Sequence, residues 1–541
     1  MSVTQTLHAG CYRLAANVRL MPTEKGGVVA LCDYPLRIVP LNPISARLLS
    51  LCTEERSCEE LAALLSMSLK RTEALCDSLR WKSLLDAGPV APPTTWPTLS
   101  IVIPSYNRAN ELERCLRSLF LLEYPHHSLE IIVVDDASID NTSALLRSLT
   151  QEAETHNIQL RSIRHMQRHG VAISRNTGAE AAKHELIAYI DSDCIATSTW
   201  LIELVPLFQD TRIAAVGGII RGYERQSVLG RYEDTCSSLH MGNRPQQVRL
   251  EGPVTYLPTA NLLIRRTIWQ QLGGFAPLSQ GEDVDFCRRM LLSGAHIRYV
   301  PQGTVYHDYR TTLKSFLKIR AAYATAEAAL LQRHPTERRI LILPPEQATF
   351  AGFVLGGLWC VLLSFLPNKR NIVRVRCITP LGVGVRCIAP KHERSNVRSP
   401  FIVTFIIGTF LSALSLTLFS TRNRHQKVQQ QHIPIPFVTV FKATLRGNLA
   451  YTYHLCRHLT RYYTLPLLLL GLLFFPFAIL IAIMLCIVVS VDYWRLKPSM
   501  NWFAYAVCAI LNDCAYEVGV VQGCIKQKTW KPLMPIIRKR M

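Results

Sequence analysis

Two carboxylates one residue apart carry the first chemical signal in this 541-residue chain: Asp191 and Asp193, which close the apolar run 186–190. Like charges at that spacing repel unless a cation lies between or beside them, and a hard divalent ion carrying phosphate oxygens suits the pair. Other polar groups stand at comparable places. Asp135 and Asp136 follow the apolar stretch 129–134, and the polar residues Ser105 to Arg108 follow Leu99-Ser-Ile-Val-Ile-Pro104. Further along, Glu282, Asp283 and Asp285 follow Gly281.

Chemistry at these positions requires elements that bring them together. Short runs rich in apolar and β-prone residues read as buried strands of a parallel sheet. Residues 99–104 form one such strand, breaking at Pro104, with 129–134 a second and 186–190 a third. A helix over 110–121, with Leu112, Leu116 and Leu119 on one face, follows the first strand, and another helix starts at Asn141. Strands alternating with helices make a right-handed parallel α/β sheet, whose ligands bind at the carboxyl ends of the strands. Three polar strand ends in register describe a nucleotide cleft, with a carboxylate for a base or ribose and the Asp191/Asp193 pair for a metal and diphosphate. No GxGxxG follows the first strand, which argues against a dinucleotide enzyme.

The segments PSYNR from Pro104, VVDDASID from Val133, GVAISRNTGAE from Gly170, YIDSDC from Tyr189 and GEDVDFCRRM from Gly281 occur in this order. Their order and spacing resemble the family-two inverting glycosyltransferases, which have the A-type nucleotide-sugar (Rossmann-like) α/β fold. The resemblance implies a role for each matching residue. Pro104, Tyr106 and Arg108 belong to the donor site. Asp136 reads the nucleobase, with Asp135 as the alternative. Arg175 and Asn176 start the helix after Gly170, where a cation and a helix N-terminus favour the diphosphate. Asp191 contacts the ribose, and Asp193 binds Mg²⁺ or Mn²⁺. Asp283 is the general base that takes the acceptor's proton, with Glu282 beside the acceptor. His307 sits where several relatives place a metal-binding histidine. Asn261, in the segment 255–261, is the acceptor-side polar contact.

Composition bounds the rest of the chain. It holds 49% hydrophobic and only 18% charged residues, with a net charge of +21. From residue 341 onward, 23 Lys and Arg face 5 Asp and Glu. A basic, apolar third points to a lipid membrane with anionic headgroups and away from nucleic acid, which wants its charge on a soluble domain. Apolar runs at 349–366, 401–419 and 465–491 reach spanning length, with Pro466 and Pro476 as kinks in the last. Basic residues flank every run, so the positive-inside rule does not orient them. The basic insert 369–398 contains a near-repeat, Val375-Arg-Cys-Ile-Thr-Pro380 and Val385-Arg-Cys-Ile-Ala-Pro390, for which no function suggests itself. Seventeen cysteines without a CxxC pair argue against a zinc or redox motif. The first 20 residues lack the apolar core of a secretory signal, so the N-terminal part is expected in the cytoplasm.

Residues 1–90 form a small α+β unit. Two strands within 27–40 turn at Asp33 to Pro35, and helices follow near 43–52, 57–66 and 71–81. Asn42 caps the first with Pro43 in its first turn, and Ser57 to Glu60 is a capping box for the second. The arrangement resembles the peptide-recognition domain of the PQQ-biosynthesis peptide-chaperone type. A Pro-rich linker, 91–97, leads to the transferase region 98–335, and 345–541 is a membrane-associated helical region. With Arg333-His-Pro335 and the segment 513–523, this order resembles the mycofactocin-system glycosyltransferase family. That resemblance implies a nucleotide-sugar donor, UDP-glucose, and a peptide-derived redox cofactor or its precursor as acceptor of a short oligosaccharide. The protein would be a multi-pass protein of the cell membrane with a cytoplasmic transferase domain. The alternative is a membrane polysaccharide or lipid-linked-sugar transferase with the same catalytic residues. A non-catalytic binding scaffold is disfavoured because every expected carboxylate is present.

Overall fold

The computed structural model describes residues 8, 10–23, 26–33, 36–88, 90–223, 226–336, 339–364, 372–378, 384–390 and 400–538. The chain divides into two compact units: Met1–Arg338 with Arg495–Met534, and Arg339–Trp494 with Pro535–Met541. Residues 345–541, read from the sequence as one helical region, therefore contribute to both.

The first unit opens with two small sheets and three helices. The meander Val18–Pro22, Val28–Asp33 and Leu36–Leu41 contains both expected strands, while residues 34 and 35 of the turn lie outside the described residues. A second sheet pairs Cys11–Leu14 with Arg56–Ser57 and Leu85–Ala87. Asn42 caps helix Pro43–Leu51 by accepting from Ser45 N at 2.7 Å, and Ser57 and Glu60 make the reciprocal capping box of helix Cys58–Leu65.

The sheet that positions the site follows. Strands β1 (Leu99–Ser105) and β2 (Leu129–Asp135) are buried along their whole length. That is why they appear as continuous apolar runs and not as alternating ones. Beyond them lie β3 (Gln159–Arg164), β4 (Leu186–Tyr189), β5 (Cys194–Ala196), β6 (Ile213–Gly217), β7 (Ile220–Gly222), β8 (Gln246–Gln247), β9 (Leu262–Arg265), β10 (His296–Tyr299) and β11 (Val305–His307). Eight of these form one sheet in the order β8-β10-β6-β9-β4-β1-β2-β3. Strands β4, β1, β2 and β3 are parallel, as the sequence indicates, but β9 runs antiparallel to both β4 and β6. The sheet is thus mixed: β9 starts opposite Tyr189, at the carboxyl end of β4, and needs no crossover helix.

Helices cover both faces: α1 (Ala109–Phe120) and α2 (Thr142–Thr155) on one, α3 (Val171–Ala181) and α4 (Glu282–Leu292) on the other. The first strand does not break at Pro104, since Pro104 and Ser105 continue the pairing with β2. Ile190 N donates to Val102 O, so Val102 and Pro104 direct their backbone polar groups toward β4. Strand β4 ends at Tyr189, and the N–H that Pro104 lacks therefore removes no ladder bond.

Two longer helices complete this unit, α5 (Leu313–Arg333) and α6 (Trp502–Lys526). They run in the same direction with almost no gap. A Cβ on Gly519 would collide with the Ala321 carbonyl, and one on Gly523 would lie 2.6 Å from the Thr325 oxygen. The buried side of α6 carries Asn512, Asp513 and Glu517.

The second unit holds helices Pro345–Ser364, Pro400–Gln430, Phe437–Leu473 and Phe475–Leu496, with Ile340–Ile342 pairing parallel to Ile536–Arg538. The run 465–491 is two helices, not one segment. Pro466 lies within the first, which kinks at Tyr463, and Pro476 opens the second, where a missing N–H is harmless. In the basic insert, Ile372–Ile378 pairs antiparallel with Gly384–Pro390, and the rest of it lies outside the described residues. Across the described residues, Thr404–Gln430, Phe475–Leu496 and Trp502–Lys526 are long and apolar enough to cross a membrane.

Candidate active site

A three-stranded sheet too short to show in the sequence builds one end of the site. Strand β11 pairs with β5 and β7, and Cys194 faces His307 in register. This brings the His307 ring to Asp193, with Nε2 3.6 Å from Oδ1. The backbone adds to the link, because Asp308 N donates to Asp193 O at 2.9 Å. Arg108, at the start of α1, donates to the Asp193 carboxylate, and Arg310 lies 3.9 Å from it. Burial would raise the Asp193 carboxyl, but His307, Arg108 and Arg310 outweigh it and hold the group below the usual range.

These groups fit a divalent ion. Ligand atoms of Asp193, Cys194 and His307 lie within 4.8 Å of one another, and His307 Nδ1 is buried without a hydrogen-bond partner. Carboxylate and imidazole suit Mn²⁺, or Mg²⁺ with phosphate oxygens and water. The Cys194 thiol is raised well above its ordinary value by burial and by Asp193 and Asp191. A hard divalent ion prefers the carboxylate oxygen and the imidazole nitrogen to sulfur, which leaves the ligand work to the other two.

The opposite end is the first turn of α4. Gly281 has φ of +80°, a conformation glycine adopts without strain, and a Cβ there would meet Ala326 of α5 at 3.0 Å. Glu282 follows, buried and paired with Arg175 at 2.5 Å. The other arm of Arg175 reaches Asp191 at 2.7 Å. Arg175 is 3% exposed, so it organises the two carboxylates from within and is not presented to a diphosphate as expected. Asp285 is also structural, since Arg289, Arg333 and His334 tie it at 2.8, 2.8 and 2.9 Å. Asp283 alone in this turn keeps some exposure and has no ion-pair partner among the described residues. Its desolvated surroundings and the Glu282 carboxylate, working against Arg175, push it up to about 7.

Two further residues are tied into the fold. The Asn176 amide pairs in both directions with the backbone of Phe275, at 2.8 Å each way, which holds α3 to the segment before α4 and leaves the amide one N–H and one lone pair. Asn261 is fully buried: it accepts from Trp200 Nε1 at 2.8 Å and donates to Gly303 O at 2.7 Å and Ile219 O at 3.1 Å. It locks β9 to the turns beside it and does not face an acceptor.

The third side is formed by the ends of β1, β2 and β3. Asp136 accepts from His165 Nδ1 and His169 N at 2.8 Å and from Gly170 N at 2.7 Å. Burial would raise its carboxyl, but these donors hold it low. Asp135 is engaged by Ser138 N at 2.9 Å and Arg164 at 2.7 Å. Asp136 thereby fixes the loop 165–170, whose Arg168 stacks over the Tyr106 ring at 4.2 Å. Sequence reasoning missed His165, Arg168 and Arg310. The run His165-Met-Gln-Arg-His-Gly170 directly after β3 was the available signal, because cationic residues at a strand's carboxyl end face the same cleft.

A mixed α/β sheet whose acidic strand ends are met by Arg108, Arg175 and Arg310 fits the glycosyltransferase class. Residues 100–273 match the family model for glycosyl transferase family 2, and this segment is a domain of that class. The chain is 31% identical over 320 residues to the pre-mycofactocin glycosyltransferase of Mycobacterium tuberculosis (strain ATCC 25618 / H37Rv), covering 57% of this chain and 65% of the relative. The chain thus spans just under two thirds of that relative's length. It is also 26% identical over 219 residues to glycosyltransferase AglE of Haloferax volcanii, covering 40% of this chain and 69% of AglE. Among solved structures, it is similar to a mannosyltransferase from Pyrobaculum calidifontis in complex with GDP-Man and Mn²⁺. That likeness has a TM-score of 0.37 and 23% identity, covering 48% of this chain and 70% of the other.

Proposed function

We propose that this chain is a membrane-associated inverting glycosyltransferase that moves a hexose, glucose from UDP-glucose, to a peptide-derived redox cofactor or its precursor and builds a short oligosaccharide there. The observation that carries the chemistry is Asp283: a partly exposed carboxylate with a value of about 7, next to two carboxylates, Asp191 and Glu282, that share the single Arg175 guanidinium. A base poised near working pH is charged often enough to act and basic enough to take a hydroxyl proton. The acceptor oxygen attacks the anomeric carbon as its proton passes to Asp283, and the bond to the nucleoside diphosphate breaks on the opposite face. Arg108 and Arg310 supply positive charge where the leaving diphosphate forms. Asp193 and His307 are the residues to hold Mg²⁺ or Mn²⁺, which when bound would neutralise diphosphate charge. Tyr106, with Arg168 on its ring, offers the flat surface a nucleobase needs. The acceptor reading draws on the pre-mycofactocin relative.

Asp283→Asn is expected to lower turnover by ~10² to 10⁴ with UDP-glucose affinity by calorimetry nearly unchanged. Asp193→Ala is expected to lose metal-dependent donor binding as well. Near-wild-type transfer by Asp283→Asn would remove the base assignment. Transfer to a polyprenyl phosphate but not to the peptide-derived cofactor would replace the acceptor.

A further inference from the structure

We infer that the second unit contains a phosphate-binding site built from Arg339, Tyr462 and His458, and that its ligand is the phosphate of an anionic lipid headgroup. The Arg339 guanidinium lies over the Tyr462 ring, 3.5 Å from its centroid. Nε, Nη1 and Nη2 of Arg339 are all buried, and none has a hydrogen-bond partner. A stacked guanidinium keeps its N–H groups in its own plane, so the ring covers its face and satisfies none of its donors. Beside it, the His458 ring packs against Tyr462 and Tyr463, at 5.5 and 6.1 Å between centroids. His458 Nε2 is likewise buried and without a partner.

A buried charge with no acceptor is strongly unfavourable, and burial on this scale calls for an anion. The unit itself supplies none among its described residues. Its two acids there are otherwise engaged: Glu346 accepts from Ser420 Oγ at 2.9 Å and Asp492 from Tyr453 Oη at 2.6 Å. The planar fork of an arginine matches two oxygens of a phosphate, and the neighbouring imidazole adds a donor.

Position selects the source. Arg339 precedes helix Pro345–Ser364 by six residues. His458 and Tyr462 lie just before the point where helix Phe437–Leu473 turns from Arg457 and Arg461 to the apolar 465–473. Both approaches are polar-to-apolar junctions, the level at which lipid phosphates lie. The site is independent of the transferase chemistry and rests only on the membrane reading of this unit.

The test uses the full chain in neutral detergent and reads its thermal midpoint during titration with phosphatidylglycerol, phosphatidylcholine or sodium phosphate. Phosphatidylglycerol is expected to raise the midpoint where phosphatidylcholine does not. In Arg339→Met the apparent affinity for phosphatidylglycerol falls at least about tenfold, as loss of a charge-assisted fork implies. The lipid-free midpoint of that variant is expected to be no lower than wild type, because an unpaired buried charge has been removed. His458→Phe, which keeps the stack, loses part of the response and serves if Arg339→Met does not fold. Equal responses of wild type and both variants, or no preference for phosphatidylglycerol, would overturn the site. A response to sodium phosphate equal to that of the lipid would keep the anion and overturn the lipid source. Membrane insertion is read separately by carbonate extraction, so a protein that stays in the membrane yet ignores phosphatidylglycerol refutes this site alone.

Discussion

Asp283 gives the site a pH dependence whose sign follows from its neighbours. Its folded value of about 7 lies above the ordinary 3.8, so the native state holds its proton more tightly than the unfolded chain. The stabilisation from that proton is complete below pH 3.8 and lost as pH rises through 7. With Asp283 as the proposed base, activity runs the other way: the carboxylate is mostly charged only above about 7, and kcat/KM should climb through that value. Glu282→Gln removes the like charge that raises Asp283 and leaves Arg175 to act on it more strongly. The rising limb should then move to lower pH, and an unmoved limb in the pH–rate profile would refute the coupling. The carboxylates themselves were legible in the sequence, but the side chains they pair with were not. Arg175 meets Glu282 across 107 residues, Asn176 meets Phe275 across 99, and Asn261 meets Trp200 across 61. Residue type and local spacing cannot say whether an arginine faces a ligand or is spent on a carboxylate brought from so far away.

Elements were legible in proportion to their length. The seven-residue strands β1 and β2 and the helix after them stand out because burial on both faces leaves no polar interruption. Strands β5, β7 and β11 have three residues each and no readable period, yet they bring His307 to Asp193. The direction of β9 was hidden too, since nothing in Leu262–Arg265 distinguishes a parallel from an antiparallel neighbour. The α5–α6 contact belongs to the same class of hidden feature, being set by two glycines at one-turn spacing on a helix that otherwise has the composition of a membrane span. Gly523→Val forces a branched side chain against the Thr325 backbone and should cost about 1–3 kcal/mol, seen as a lower unfolding midpoint with loss of transfer. Because α5 also packs on Gly281, the effect is expected in turnover before donor affinity. Unchanged stability and turnover would mean that the two helices can separate freely.

At the scale of the whole chain, charge and apolar length divide the labour. The carboxylates and their cations gather in the first unit, while residues from 341 onward carry most of the positive excess. Helices Thr404–Gln430 and Phe475–Leu496 expose large apolar side chains such as Phe405, Leu411, Phe419 and Phe477, the pattern of helices that meet lipid. The full chain is therefore expected to resist alkaline carbonate and to need detergent for extraction, with quantitative release by carbonate as the contrary result. Most of this was visible in composition. The division of the last helices between two units was not, because Trp502–Lys526 satisfies the same length and hydropathy as a span while burying Asn512, Asp513 and Glu517 against protein.

That return of the chain has a consequence for biosynthesis. The first unit is discontinuous, and residues 339–494 are made between its two parts. At roughly 5–20 residues per second, the intervening stretch takes on the order of ten seconds to translate. For that time α5 waits with its α6-facing side bare while the helices of the second unit are being made. A nascent chain in this state has not yet closed α5 against α6, and the first unit is complete only after the intervening segment has left the ribosome.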